Sequence, residues 1–284
     1  MTTRPNAAAG GTFTLGGDMT INRMGYGAMR ITGQGIWGEP ADPEKAKQVL
    51  RRAVELGVNF IDTADAYGPD VSERLIAEAL HPYPADLVIA TKGGLLRGGP
   101  GDWYPDGRPE HLREAIEGSL KRLKLERIDL YQFHRPDPKV PFEDSVGTLA
   151  DLQKQGKIRH VGLSNVSVEQ LQMAMGIVPI VSVQNRYNLT DRASEDVLKM
   201  CERENIGFIP WFPLAASDLT KEGSPLMSAA ARHQVTTGQL ALAWLLHRSP
   251  VMLLIPGTSS VEHLEENIAA AEITFTPEEV ASIG

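Results

Sequence analysis

Short apolar runs alternate with longer amphipathic stretches along almost the whole chain. Ahead of the alternation, residues 12–15 and 19–21 flank Gly16-Gly17-Asp18, which reads as two strands of a β-hairpin joined by a turn of suitable chemistry. Eight strand-like runs follow, at 25–29, 58–63, 87–92, 128–134, 158–165, 180–184, 207–211 and 252–256. The stretches between them carry helical periodicity. The clearest places Leu112, Ala115, Ile116, Leu120 and Leu123 on one face, with charges elsewhere. Helix-start signals recur at Asp42-Pro43, at the capping-box spacings Asp70…Glu73, Ser167…Gln170 and Ser259…Glu262, and at Thr276-Pro277 before Glu279.

Regular strand–helix alternation predicts an α/β fold with a parallel sheet covered by helices. Right-handed crossovers then close eight units into a (β/α)8 TIM barrel with an N-terminal β-hairpin. An open doubly wound sheet requires a glycine-rich dinucleotide turn opening a helix after its first strand. Gly25-Tyr26-Gly27 lacks the third glycine for that role. Residues 12–284 are expected to form one domain, and 1–11, small and polar, a mobile tail rather than a signal peptide. The last helix is expected near Pro277, leaving the site without a long C-terminal covering loop.

In such a barrel the C-terminal strand ends converge on one rim, where active sites of this fold are built. The second strand closes on Asp62, with Tyr67 in the loop beyond it. The third closes on Lys92, the fourth on His134, the fifth on Ser164-Asn165 and the sixth on Gln184-Asn185. Polar residues ending five successive strands are poorly explained by packing. Any one alone has a bland reading: Asp62 as a turn cap, Lys92 as a rim lysine, His134 as a bonded core histidine.

Composition narrows the field. A net charge of −8 speaks against nucleic acid or an anionic membrane surface as partner. The one cysteine, Cys201, excludes a disulfide framework or a cysteine-rich metal site, and on a helix with no histidine nearby it reads as an inert thiol. No apolar run reaches the ~20 residues of a membrane span. A cytoplasmic protein, monomeric or weakly homo-oligomeric, is expected.

Asp62, Tyr67, Lys92 and His134 match in order and spacing the catalytic tetrad of the aldo-keto reductases. The resemblance spans residues 13–284. Gly25-Tyr26-Gly27-Ala28-Met29 is similar to that family's first strand. Gly162-Leu163-Ser164-Asn165, Val183-Gln184-Asn185-Arg186-Tyr187-Asn188 and Ile255-Pro256-Gly257-Thr258-Ser259-Ser260 resemble its cofactor segments. With Gly35-Ile36-Trp37-Gly38, they resemble in particular a bacterial branch that includes pyridoxal reductases. The resemblance implies NADPH-dependent reduction of a small-molecule carbonyl. Tyr67 is then the general acid, Lys92 the charge that lowers its pKa, Asp62 the partner of the lysine, and His134 the donor that orients the carbonyl.

The resemblance further implies nicotinamide contacts from Ser164, Asn165 and Gln184, and stacking on Trp211, where the family usually has tyrosine. Pro213 and Leu214 fall along the pyrophosphate, Thr258 and Ser259 at a helix N-terminus suited to phosphate, and Glu266 and Asn267 at the adenine. Gly257 and His263 stand where many members have a lysine and an arginine, which weakens the expected clamp on the adenosine 2′-phosphate. Met29, Trp37, Trp103 and Tyr104 are candidate walls of the substrate pocket, and no metal is expected. Two other readings fit a barrel: a cofactor-binding sensor or accessory subunit with slow turnover, and a metal-dependent hydrolase or lyase. The second needs further ligands that the strand ends do not provide.

Overall fold

The computed structural model describes residues 4–214, 225–276, 278–279 and 283. The chain opens with the hairpin β1 (Thr12–Leu15) and β2 (Met19–Asn22), followed by β3 (Tyr26–Gly27), β4 (Phe60–Asp62) and β5 (Val88–Gly93). A second hairpin, β6 (Leu95–Gly99) and β7 (Asp102–Pro105), precedes β8 (Ile128–Phe133), β9 (Ile158–Ser164), β10 (Ile180–Arg186) and β11 (Gly207–Trp211). The helices are α1 (Pro43–Glu55), α2 (Val71–Leu80), α3 (Pro109–Leu123), α4 (Phe142–Lys154), α5 (Val168–Met175), α6 (Glu195–Glu204), α7 (Pro225–His233), α8 (Thr237–Arg248) and α9 (Val261–Ala269). No helix among the described residues is long and apolar enough to cross a membrane.

Seven parallel strands pair in the order β3-β4-β5-β8-β9-β10-β11. The run expected as an eighth strand, 252–256, makes no ladder. It closes the ring through single bridges, Met252 to Phe208 of β11 and Leu254 to Met24 ahead of β3. The first run is also shorter than expected, because the chain turns into a 3-10 helix at Ala28–Ile31. Strands buried on both faces explain the near-continuous apolar runs: β4 and β5 are buried throughout. Inside the ring, Gly162 yields its space to a neighbour. A Cβ there would lie 2.9 Å from Gln132 Cγ and 2.3 Å from Ser182 Oγ.

The first hairpin plugs the N-terminal mouth. At its turn, Asp18 pairs with His160 at 2.6 Å and with Arg159 at 2.9 Å, both at the start of β9, while Leu15 and Ile21 are fully buried. Gly16 sits at φ 59°, and a Cβ there would lie 2.2 Å from the His160 ring, so the turn needs glycine. Residues 4–11, expected as part of a mobile tail, are docked instead. Ala7 is buried, its N–H donates to Leu56 O, and Asn6 caps the 3-10 turn Ala7–Gly10. Residues 1–3 lie outside the described residues.

Two helix starts differ from the sequence reading. Asp70 takes a left-handed conformation, φ 66°, and caps nothing; it pairs with Arg122, while Glu73 turns inward to Thr91 and Arg122. The N-cap of α9 is Ser260 rather than Ser259, its hydroxyl accepting from His263 N. The Ser167–Gln170 box forms as expected. The helix expected near Pro277 lies largely outside the described residues, although Thr276 and Glu279 make reciprocal bonds.

Candidate active site

The C-terminal strand ends surround a cavity of about 520 Å³. On its floor Asp62, the last residue of β4, meets Lys92 of β5. The two strands register Asp62 against Ala90, so the lysine stem reaches back to its partner. Both side chains are buried, and Nζ lies 2.5 Å from Asp62 Oδ1. The same ammonium donates to Thr63 O at 2.7 Å and to Tyr67 Oη at 3.3 Å, so its three N–H bonds are all used. The other carboxylate oxygen, Oδ2, accepts from Gln132 Nε2 at 3.0 Å and Gln184 Nε2 at 2.9 Å. Asp62 is therefore held at both oxygens.

Tyr67 stands in the loop between β4 and α2, edge-on to the Trp103 and His134 rings at 6.4 and 5.8 Å. Burial pushes its phenol above the ordinary value, and Lys92, pulling the other way, does not overcome this. The expected lowering of this pKa is therefore absent in the protein alone: Asp62 and the buried Asp65 both add to the rise. Burial also pulls the Lys92 ammonium down, but Asp62 and Tyr67 together outweigh it, and the net shift is upward. The lysine remains charged and the tyrosine protonated. His134, at the end of β8, is held well below the ordinary histidine range by burial, then by Lys92 and Arg135. It is a neutral imidazole whose buried Nδ1 has no hydrogen-bond partner among the described residues.

The nicotinamide candidates line the same cavity, but two of them are already engaged. Gln184 commits one amide N–H to Asp62, leaving Oε1 to accept. Asn165, in a left-handed conformation at φ 60°, donates to His134 O and Ser164 Oγ and accepts from Trp211 Nε1. It acts as a strut, and among the described residues the Ser164 O–H donates to none. A hydroxyl donor beside a carboxamide acceptor matches a primary amide, so the pair fits a nicotinamide. Trp211, pinned at its indole N–H, lines the wall with Pro213 and Leu214.

A second cavity of about 410 Å³ adjoins the first, lined by Thr258, Ser259 and residues 32–36, and sharing Met29, Arg30 and Gly257. Arg30 lies just past the first strand-like run, 25–29, and reaches both cavities because the chain leaves β3 at Gly27 for the 3-10 helix Ala28–Ile31. Gly257 is structurally required: a Cβ there would lie 2.8 Å from Gly27 O. His263, Glu266 and Asn267 share one face of α9 but line neither cavity.

Of the four expected pocket walls, Met29 and Trp103 line the cavity and Trp37 and Tyr104 do not. Alternation along β7 explains Tyr104. Trp103 turns inward, so its neighbour faces solvent at 44% exposure. Trp37 is held outside by Arg97. That guanidinium stacks 3.5 Å from the Trp103 ring and 5.5 Å from Trp37, and its five N–H donors reach Gly35 O, Ile36 O, Ala66 O, Gly99 O and Asp102 O. Cys201 is buried, and burial pushes its thiol up to about 12. Among the described residues no three His, Cys, Asp or Glu side chains are grouped to hold a metal ion.

Comparison with known proteins agrees with this geometry. The sequence model of the Aldo/keto reductase family matches residues 23–284. The chain is 52% identical to an uncharacterized oxidoreductase of Schizosaccharomyces pombe, over 98% of this chain and 90% of the relative. It is 43% identical to the pyridoxine 4-dehydrogenase of Escherichia coli, over 96% of each. The crystal structure of an aldo/keto reductase from Klebsiella pneumoniae in complex with NADP and acetate superposes with a TM-score of 0.81. That match is at 28% identity and covers 96% of this chain and 93% of that one.

Proposed function

The chain belongs to the aldo/keto reductase family, and on that premise we propose that it reduces aldehydes or ketones to alcohols with NADPH, Tyr67 supplying the proton. The observation that carries the reading is the buried Lys92 ammonium, shared between Asp62 and Tyr67 Oη on the floor of a cavity open to substrate. When bound, the dihydronicotinamide supplies the hydride, which no side chain can. As the C=O electron pair moves onto oxygen, Tyr67 Oη donates its proton there. The tyrosinate left behind is stabilised by Lys92, which Asp62 keeps charged and aimed. Neutral His134 holds the carbonyl oxygen through a ring N–H, contributing to oxyanion stabilisation.

Ser164 and Gln184 would hold the carboxamide, Trp211 the ring, and Pro213, Leu214 and Arg30 the pyrophosphate. Thr258, Ser259 and His263 would take the 2′-phosphate, and Glu266 and Asn267 the adenine. Arg30 supports this assignment because it bridges the two cavities beside Gly257. The similarity to pyridoxine 4-dehydrogenase supports a pyridoxal-type substrate, tested by NADPH oxidation across an aldehyde panel that includes pyridoxal.

The central test is Tyr67→Phe. General acid catalysis of this kind is worth about 10²–10⁴ in rate, so kcat falls at least a hundredfold while NADPH binding, read by tryptophan fluorescence, changes no more than a few-fold. Retention of over a tenth of wild-type kcat removes Tyr67 from the role.

A further inference from the structure

Two arginines line the main cavity, Arg30 and Arg135, and among the described residues neither has an ion pair or hydrogen bond. Both side chains are exposed, so each guanidinium is free to meet a ligand entering the cavity. Elsewhere Arg52, Arg74, Arg122 and Arg248 are each held by carboxylates. Asp62 is the one carboxylate on the described wall of this cavity, and Lys92 already neutralises it. With His134 neutral, the wall carries uncompensated positive charge.

The two arginines serve opposite sides of the ring. Arg30 follows β3 and abuts Gly257, next to the Thr258-Ser259 segment. Arg135 follows β8, which is four steps from the 252–254 closing segment in either direction around the barrel. Phosphates held at Thr258 and Ser259 therefore leave Arg135 unused. Its charge nevertheless reaches the reacting centre, since it helps to depress the pKa of His134. Trp103, Leu95, Trp211 and Phe212 complete an aromatic and apolar wall. A guanidinium beside such a wall matches carboxylate and phosphate oxygens two at a time.

We propose that Arg135 docks a negatively charged group on the substrate, so that this site favours carbonyl compounds bearing a carboxylate or a phosphate over their neutral counterparts. The inference rests on the reductase reading above, though not on pyridoxal itself, which carries neither group, and it names the substrate class.

The test compares 3- and 4-carboxybenzaldehyde with their methyl esters, following NADPH oxidation by the wild type and by Arg135→Gln and Arg135→Lys. The readout is the ratio of kcat/KM for acid over ester, which cancels any change in His134 common to both. An acid preference of about tenfold or more is expected in the wild type, lost in Arg135→Gln and largely kept in Arg135→Lys. It should shrink as salt is raised, because exposed charges are screened. A parallel measurement needs no turnover: 4-(hydroxymethyl)benzoate and its methyl ester are titrated against protein with NADP+, read by tryptophan fluorescence. Tighter binding of the acid that depends on Arg135 supports the inference even if no aldehyde is reduced, an outcome that would count against the reductase reading alone. Turnover with an acid-to-ester ratio near one, or a ratio that Arg135→Gln leaves unchanged, overturns it.

Discussion

Replacing Lys92 with methionine keeps an unbranched apolar stem out to Cε, with sulfur in place of one methylene, and removes the ammonium. Asp62 then loses its partner at Oδ1, while Gln132 and Gln184 still donate to Oδ2. Removing one partner of a buried ion pair costs about 3–5 kcal/mol, and the two surviving amide donors place this site near the lower end. Unfolding entropy of ~2.1 cal/mol/K per residue gives a chain of this length roughly 0.6 kcal/mol per degree. The melting temperature should therefore fall by about 5 °C, and by no more than about 8 °C. Turnover should be lost as well, because Tyr67 no longer has a cation to stabilise its anion. The double variant Lys92→Met/Asp62→Asn separates the two effects. It removes the uncompensated charge and should recover part of the melting temperature while remaining inactive. Calorimetry and NADPH oxidation on the same preparations read both. A Lys92→Met protein that melts within a degree of wild type, or keeps a tenth of its kcat, refutes the account of the pair.

The depressed His134 makes stability fall with acidity: the unfolded chain takes up a proton below about pH 6.5 and the folded one does not, at a slope of up to about 1.4 kcal/mol per pH unit. His134→Gln should flatten this loss between about pH 6.5 and 5, and equal acid sensitivity in both proteins removes His134 as its source. NADPH should be preferred over NADH by about tenfold, the equivalent of ~1.4 kcal/mol, and His263→Ala should lower kcat/KM for NADPH alone; an unchanged cofactor ratio clears His263. Gly257→Lys should not tighten NADPH binding, because the new Cβ meets Gly27 O before any charge is placed; a tighter Kd contradicts that packing. Dialysis against EDTA should leave most of the activity, and a loss restored by metal would favour a metal-dependent reaction.

The candidate site is legible in the sequence because five successive strands end on polar residues after apolar runs, and the barrel rim then gathers them. Asp62, Lys92 and His134 are visible in that way without any knowledge of distance. The hydrogen-bond partners are less visible. Gln132 lies inside an apolar strand, one polar letter among Leu130, Tyr131 and Phe133, and only the ring closure brings it to Asp62. The hairpin of β6 and β7 is hidden by Gly98, Gly99 and Gly101, which read as loop; of these, Gly101 sits at φ 79°, where the turn favours glycine. The role of His160 depends on Asp18, 142 residues away in sequence. The sign of the Tyr67 shift was misread because a neighbouring charge can be inferred from sequence, whereas burial must be seen.

The guanidinium of Arg97 binds carbonyls from three separate loops with all five of its donors. Those loops follow the first, second and third barrel strands, and Trp103 and Tyr67 stand on two of them. Redirecting the enzyme toward new substrates could be attempted by exchanging one loop at a time. Here such an exchange would withdraw carbonyls from the shared hub and displace segments that were left unaltered. Substitutions in the three loops should then depart from additivity, and combinatorial libraries that vary them together while fixing Arg97 should outperform stepwise ones.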